Sequence, residues 1–258
     1  MNVALMRVAR VGFRSAAFLA STVASVYFLN RARARAPDRL QTELKDVHLK
    51  RYVSRVMRVL GIQTRYQPAL PAPKSKRGRL VVANHQSAVD IGILLGYFGG
   101  ACLSRGDLAQ WPLMGWAARS VDTIFVDRDD VHSGASAIRA IRRRLREGGT
   151  VVAFPEGKTS LGDEVLPFQP GVFAAARGID CEIMPVGIAY KEHNAYVDKT
   201  FLEHLSSVAA DPEAAVSAAV GTPLEVAGRS TELAEHAQTC VQKLVKRARD
   251  SFAEGHGL

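Results

Sequence analysis

The chain has 258 residues, of which 47% are hydrophobic and 23% are charged. This composition is typical of a globular protein and excludes an intrinsically disordered chain. The formal net charge is +9, and all of it comes from residues 1–60, which carry 12 Lys and Arg against 3 Asp and Glu. A basic, apolar amino-terminal segment indicates an anionic bilayer surface as partner. A nucleic acid is disfavoured, because the basic stretch lacks interleaved aromatic residues and a nucleic-acid-binding motif.

The first predicted element is a helix around an uncharged run of 16 residues, Ser15–Asn30, with three arginines on each side. A helix that crosses a bilayer needs about 20 apolar residues. A signal peptide is disfavoured, because an arginine cluster follows the run where a small-residue cleavage site is expected. A tilted single span and a helix lying in the membrane interface both remain open.

Residues 38–60 form the second predicted helix, because apolar residues recur there at roughly helical spacing. Residues 1–60 are therefore predicted to form a helical hairpin that docks on the membrane. The stretch that follows is rich in proline and basic residues, so residues 61–78 are predicted to be a linker. The globular domain is predicted to span residues 79–258.

Short β-branched runs alternate with helical runs in the first half of this domain. They predict strands at 79–83, 101–104, 123–126 and 150–154, and helices at 87–97, 110–118 and 132–147. A loop at 155–170, a short helix near 171–177, a strand at 182–189, weaker signals up to residue 227 and a helix at about 230–252 follow. The predicted fold class is α/β, with a mixed, largely parallel sheet flanked by helices.

The segment 84–90, with the sequence N-H-Q-S-A-V-D, directly follows an apolar strand. Residues five apart on one helix point about 140° away from each other. His85 and Asp90 therefore meet only if His85 lies in a turn and Asp90 lies in the first turn of the helix. Asp90 would then fix the imidazole tautomer, so that the other ring nitrogen can take a proton. Alternatively, Ser87 and Asp90 form a capping box, which leaves the Asn-His pair unexplained.

The sequence Phe154-Pro155-Glu156-Gly157 ends the strand predicted at 150–154. Proline and glycine favour a tight loop, and ligands of α/β sheets bind at the carboxyl ends of strands. An ordinary turn with a solvated glutamate is the alternative interpretation.

Four motifs together resemble those of the glycerolipid acyltransferase family, which includes bacterial 1-acyl-sn-glycerol-3-phosphate (lysophosphatidate) acyltransferases. The similar segments, in the family's order and spacing, are 84–90 (N-H-x-x-x-x-D), 123–128, 154–157 and 184–186. The resemblance covers roughly residues 79–190, and the preceding hairpin is similar to the family's membrane-docking region.

This resemblance implies a role for several side chains. It implies that His85 is the general base and that Asp90 orients it. The residues implied to bind the polar head of the acceptor are Arg128, Glu156, Gly157 and Lys158, and the residue implied to shape the acyl pocket is Pro185. A surface ion pair with a neighbouring aspartate is the alternative for Arg128.

The chain also departs from the family pattern. Lys158-Thr159-Ser160 stands where the family commonly has Thr-Arg-Ser, and Arg105 stands where a lysine is usual. The missing arginine at 159 weakens the case for a phosphate-monoester acceptor, because a lysine does not reproduce bidentate arginine geometry.

The resemblance implies acyl transfer from acyl-CoA or acyl-carrier-protein to a lysolipid hydroxyl, with lysophosphatidate as acceptor and phosphatidic acid as product. Another lysolipid, such as a lyso-ornithine lipid, is the alternative acceptor. A non-catalytic membrane or nucleic-acid adaptor is the alternative from another class. The expected location is the cytoplasmic face of the cell inner membrane. No cofactor is expected, and no metal site, because the seven histidines include no HExxH motif and no Cys/His cluster.

Overall fold

The structure is a computed structural model that describes residues 3–68, 77–127, 130–162, 164–191 and 200–253. Among them, the helices are α1 (Val3–Arg33), α2 (Asp38–Leu60), α3 (Val89–Phe98), α4 (Pro112–Ser120), α5 (Val131–Arg146), α6 (Gly171–Ala176), α7 (Phe201–Ala210) and α8 (Ser230–Ala253). The strands are β1 (Ile62–Gln67), β2 (Gly78–Ala83), β3 (Ala101–Arg105), β4 (Ile124–Val126), β5 (Thr150–Ala153), β6 (Cys181–Tyr190), β7 (Ala214–Val220) and β8 (Leu224–Glu225). Each element predicted between residues 79 and 189 is present, with ends within two residues of the prediction.

The described strands form one sheet in the order β1-β7-β6-β2-β5-β3-β4, with β8 beside β6. Parallel pairs join β2 to β5 and β6, β3 to β4 and β5, and β1 to β7. Strands β7 and β8 run antiparallel to β6. The predicted fold class, a mixed and largely parallel sheet flanked by helices, is confirmed.

Helices cover both faces of the sheet, which explains why β2 and β5 are buried along their whole length. On one face, Ile141 of α5 and Val241 of α8 pack against the strands. On the other face, Val53 of α2, Ile93 of α3 and Val208 of α7 do so. The second face and the carboxyl ends of the parallel strands carry the candidate site.

The predicted linker at 61–78 is wrong over residues 62–67. These residues form β1, an edge strand that pairs in parallel with β7, beginning with Ile62 opposite Ala214. Gly61 ends α2 with a positive φ of 71°, so the chain turns directly from helix to strand. The sequence of β1, I-Q-T-R-Y-Q, has too few apolar residues to identify a strand. The proline-rich residues 69–76 lie outside the described part of the chain.

Two further elements had given only weak signals. Helix α7 begins with a capping box, in which Thr200 Oγ1 accepts from the Glu203 amide and Glu203 accepts from the Thr200 amide. This T-x-x-E signal is visible in the sequence. Strand β7, A-A-V-S-A-A-V, consists mainly of small residues, and its pairing with β1 and β6 defines it.

The amino-terminal helices form a hairpin, but this hairpin shares the core of the domain. Phe18 of α1 and Val53 of α2 are buried in the same cluster as sheet residues. Helix α2 approaches α3 closely at two glycines. A Cβ at Gly92 would lie 2.6 Å from Met57 Cε, and a Cβ at Gly96 would lie 2.8 Å from Val53. Helices α1 and α2 are therefore structurally continuous with the rest of the domain.

A buried ionic cluster fastens the hairpin to the domain. Lys45 of α2, which has no exposed surface, lies 3.3 Å from an Asp122 oxygen and donates to the Gly100 carbonyl at 3.1 Å. Arg33 of α1 pairs with the other Asp122 oxygen at 3.3 Å. Burial alone would raise the pKa of Asp122, but Lys45, Arg33 and Arg144 together lower it. The cluster joins α1, α2 and the turn before β4.

Candidate active site

The turn between β2 and α3 is bound to β6 by the side chain of Asn84. Its Nδ2 donates to the Ile188 carbonyl at 2.9 Å, and its Oδ1 accepts from the Ile188 amide at 2.8 Å. An asparagine amide supplies the donor and the acceptor that one backbone position requires. These two bonds explain the asparagine that helix capping leaves unexplained.

His85 and Asp90 meet as the sequence predicts. His85 lies in the turn, Asp90 lies in the first turn of α3, and Nδ1 of His85 is 2.9 Å from Asp90 Oδ2. A carboxylate accepts hydrogen bonds only, so Nδ1 carries the proton. His85 lines an open groove. With Nδ1 bound to Asp90, Nε2 is the nitrogen suited to take a proton from a molecule in that groove.

The capping alternative is realised in part. Asp90 Oδ2 accepts from the Gln86 amide at 2.7 Å and from the Ser87 amide at 2.8 Å. Ser87 Oγ accepts from the Val89 amide at 3.2 Å, and the Asp90 amide donates to the Ser87 carbonyl at 3.0 Å. Asp90 thus closes the turn and orients His85 with the same oxygen.

Tyr190, at the end of β6, completes the surroundings of Asp90. Its hydroxyl donates to Asp90 Oδ1 at 2.5 Å, whereas His85 and the turn amides contact Oδ2. Asp90 has no exposed surface. Tyr190 is not predictable from the sequence, because no motif links it to a residue 100 positions earlier.

Glu156 lies behind His85 and not in the groove. Its Oε1 accepts from the His85 amide at 2.8 Å, its Oε2 accepts from the Leu166 amide at 3.3 Å, and its side chain is 6% exposed. Burial raises the pKa of Glu156 to about 7, although the two amide donors oppose this effect. Glu156 holds the backbone of the turn, so this geometry does not support the expected direct contact with an acceptor head group.

The imidazole of His85 is also held from one face. Its ring stacks on Phe154, the residue after β5, with 4.1 Å between ring centroids and 18° between ring planes. The loop that follows β5 has two roles. Phe154 and Glu156 fix the histidine from behind, while Gly157, with a positive φ of 81°, turns the chain toward the groove.

The groove beside His85 has a volume of about 430 Å³ and mainly apolar walls. Five helices supply most of these walls. Representative residues are Phe18 and Leu29 of α1, Leu49 and Val56 of α2, Ile91 and Leu95 of α3, Met114 of α4, and Leu205 and Val208 of α7. An apolar groove of this size next to a histidine suits a flexible hydrocarbon chain whose reactive end lies at the imidazole.

Two cationic side chains line the same groove. Lys158 follows Gly157 and is exposed, and Arg105 at the end of β3 forms two bonds to Asp107, at 3.1 and 3.0 Å. Arg128, predicted to bind the acceptor, lies outside the described residues.

Pro185 does not line the groove, contrary to the expectation that it shapes an acyl pocket. It is a buried residue of β6 whose ring lies near Gly221, and its neighbours Ile183 and Gly187 face α8. Pro185 lies where β6 changes its antiparallel partner from β8 to β7. The antiparallel ladder is interrupted at this position, so the missing amide donor of a proline is tolerated.

His204 of α7 is another histidine in the groove wall. Its Nε2 is 2.9 Å from Ser87 Oγ, and its side chain is 2% exposed. His204 was not among the predicted site residues, because the sequence of α7 gives only a weak helical signal. Among the described residues, no group of three or more His, Cys, Asp or Glu side chains has a metal-binding arrangement.

Comparison with known proteins identifies the family to which the chain belongs. Residues 47–189, more than half of the chain, match the family model for acyltransferases. The chain belongs to the acyltransferase family. The matched segment contains all four motifs, His85 and Asp90, and it ends one residue before Tyr190. The predicted family resemblance is therefore confirmed.

Curated relatives include proteins that are named for two different acceptors. The chain is 30% identical over 120 residues to the 1-acyl-sn-glycerol-3-phosphate acyltransferase of Neisseria gonorrhoeae, covering 46% of this chain and 47% of that one. It is 28% identical over 222 residues to the lyso-ornithine lipid O-acyltransferase of Pseudomonas aeruginosa, covering 81% and 83%. For several other curated relatives, including the Neisseria gonorrhoeae protein, the chain spans about half of the relative's length. The crystal structure of the LPA acyltransferase PlsC from Thermotoga maritima superimposes with a TM-score of 0.72 at 22% identity, over 95% of this chain and 97% of that one, and supports the fold.

Proposed function

We propose that this acyltransferase moves a fatty acyl group from a thioester, acyl-CoA or acyl-carrier-protein, to the hydroxyl of a lysolipid. The observation that carries this proposal is the His85–Asp90 pair, 2.9 Å apart, at the side of an apolar groove. The groove accommodates an acyl chain, and the imidazole lies where its polar end would be. Membership of the acyltransferase family supports the reaction class.

In the proposed mechanism, His85 Nε2 accepts the proton of the lysolipid hydroxyl while that oxygen attacks the thioester carbonyl carbon. The tetrahedral intermediate then collapses, the carbon–sulfur bond breaks, and the imidazolium returns the proton to the departing thiolate. The Asp90 carboxylate stabilises the imidazolium. No acyl-enzyme is required, because a thioester is already activated. Products are the acylated lipid and a free thiol.

We propose 1-acyl-sn-glycerol-3-phosphate as the acceptor, giving phosphatidic acid for phospholipid biosynthesis. A phosphate monoester is best held by more than one cation, and Arg105 and Lys158 both line the groove. Arg128, which the family resemblance implies as a head-group ligand, is proposed to add a third. Gly157 places the backbone of this loop at the groove wall.

A lyso-ornithine lipid is the second candidate acceptor. One observation that favours it is the longer alignment with the Pseudomonas aeruginosa relative, which covers 81% of the chain. The other is Thr159, which stands where the family pattern places an arginine. A lysolipid without a phosphate monoester needs less positive charge in its site.

Purified protein assayed with both lysolipids and both thioester donors tests the proposal. We expect transfer to one acceptor or both, and no transfer by His85→Ala. Absence of transfer by the wild-type protein with every donor and acceptor would favour a non-catalytic membrane adaptor. Transfer that persists in His85→Ala would refute the proposed base.

We propose that the protein is monotopic on the cytoplasmic face of the inner membrane, with α1 lying in the interface. Helix α1 has the length and composition of a membrane-crossing helix. However, Arg10 donates to the Ala210 carbonyl at 2.8 Å and Arg33 donates to the Ser120 carbonyl at 3.0 Å. These two arginines are about 35 Å apart along the helix. A spanning helix would carry one of them across the hydrocarbon core, away from the domain.

The outer side of α1 is apolar and suits lipid contact. Seven large apolar side chains on it are exposed: Leu5, Val8, Phe13, Leu19, Val23, Tyr27 and Phe28. Eight of the 12 basic residues in 1–60 are exposed, whereas Lys45 is buried and Arg10, Arg14 and Arg33 contact the domain. Only part of the amino-terminal charge is therefore available to anionic lipid.

Liposome flotation of a Phe13→Glu/Phe28→Glu variant tests this orientation. We expect weaker binding to anionic vesicles with an unchanged circular dichroism spectrum. The control is Lys246→Glu on α8, which changes the net charge equally and should bind as the wild type does. Undiminished binding by the double variant would contradict the proposed lipid face. Labelling of Ala4→Cys by an impermeant maleimide from the periplasmic side would indicate a spanning helix instead.

A further inference from the structure

Asp90 is surrounded by hydrogen-bond donors on both of its oxygens. Oδ2 receives His85 Nδ1 and the amides of the turn at 2.7–2.9 Å. Oδ1 receives the Tyr190 hydroxyl at 2.5 Å. The Tyr190 contact is the short one, and it comes from β6 and not from the motif that contains His85 and Asp90. The carboxylate is thus clamped between two separate elements of the fold.

We propose that Tyr190 is a positioning residue for the reaction, which holds the Asp90 carboxylate in place and sets the basicity of His85 through it. This inference rests on the proposed function, in which His85 is the base. It assigns a role to a side chain beyond the segment matched by the family model, which ends at residue 189.

The hydrogen bond from Tyr190 should lower the basicity of His85. A hydrogen bond from Tyr190 withdraws charge from the carboxylate and makes it a weaker partner for an imidazolium. Without this bond, Asp90 should stabilise the protonated form of His85 more strongly and should also rotate more freely. Burial, followed by the charge of Asp90, raises the pKa of Tyr190 well above its ordinary value, so the phenol stays a donor throughout the working pH range.

Other titratable groups also surround His85. Glu156 binds its backbone amide, Lys158 lines the same groove, and His204 contacts Ser87 in the adjoining turn. The acidic limb of a pH profile therefore reflects several groups at once. The difference between two proteins that share all of these residues isolates the effect of the Tyr190 hydroxyl.

The test compares pH profiles of kcat/KM for the wild type and Tyr190→Phe. We expect about a tenfold loss at the optimum and a shift of the acidic limb to higher pH by about half a unit or more. Tyr66→Phe is the matched control, because its hydroxyl donates to the Ile93 carbonyl at 3.1 Å, away from the reacting groups. It should leave the limb unchanged. A profile of Tyr190→Phe that coincides with the wild-type profile would overturn the proposal.

A second substitution covers the case in which Tyr190→Phe does not fold. A singly fluorinated tyrosine at position 190 keeps the shape of the side chain and donates more strongly, so the acidic limb should move to lower pH. An unchanged or upward shift would count against the proposal. The two hypotheses fail separately: activity in His85→Ala would refute the proposed base, whereas an inactive His85→Ala with unshifted Tyr190 variants would refute only the role of Tyr190.

Discussion

Replacement of Glu156 by glutamine should change how the stability of the protein depends on pH. Burial raises the pKa of this carboxyl from its ordinary 4.5 to about 7 in the folded state. A raised carboxyl pKa means that the folded protein binds the proton more tightly than the unfolded chain does. The stabilising contribution of the protonated group is therefore complete below pH 4.5, declines as the pH rises toward 7, and is absent above it.

The expected magnitude follows from the difference of about 2.5 pH units, at roughly 1.4 kcal/mol per unit. The free energy of unfolding of the wild type should fall by about 3 kcal/mol relative to Glu156→Gln between pH 4.5 and pH 7. Denaturant unfolding of both proteins in detergent at several pH values measures this difference. Glu235→Gln, which removes an exposed carboxylate of α8, controls for the loss of one negative charge.

Parallel pH curves for the wild type and Glu156→Gln would refute the reasoning. They would mean that the amide donors of His85 and Leu166, at 2.8 and 3.3 Å, offset the burial of the carboxylate completely. Glu156 would then keep its ordinary pKa and be an anion held by two amides at neutral pH.

Three further predictions concern the turn and the groove. Ser87→Ala should keep most of the activity that His85→Ala abolishes in a thioester-coupled assay, and an acyl-Ser87 adduct in mass spectra would contradict this. Asn84→Ala should lower the free energy of unfolding by about 2–4 kcal/mol, measured by denaturation, because it removes two buried hydrogen bonds. Lys158→Ala should raise the KM for lysophosphatidate about tenfold and leave the KM for lyso-ornithine lipid unchanged. Thr159→Arg should preserve activity with lysophosphatidate but impair activity with lyso-ornithine lipid. An unchanged KM for both acceptors in Lys158→Ala would refute the role of the lysine.

Local sequence patterns predict several parts of this protein correctly. The apolar run before His85 predicts a buried strand, the polar turn after it predicts a strand-to-helix junction, and the spacing to Asp90 predicts their contact. Helix α2 was predicted with its observed ends because its apolar residues repeat at helical spacing between Pro37 and Gly61. These features need no knowledge of distant segments.

The distant residues that complete the site are brought together by the fold. Tyr190 is 100 residues from Asp90, and His204 is 117 residues from Ser87, so no local pattern connects them. Strand β1 is nearly as polar as a loop and becomes a strand only through its parallel pairing with β7. The role of Glu156 also depended on packing, because the same carboxylate can face solvent or bind buried amides. The sequence reports each residue's chemistry, whereas burial and hydrogen-bond partners are properties of the assembled sheet and helices.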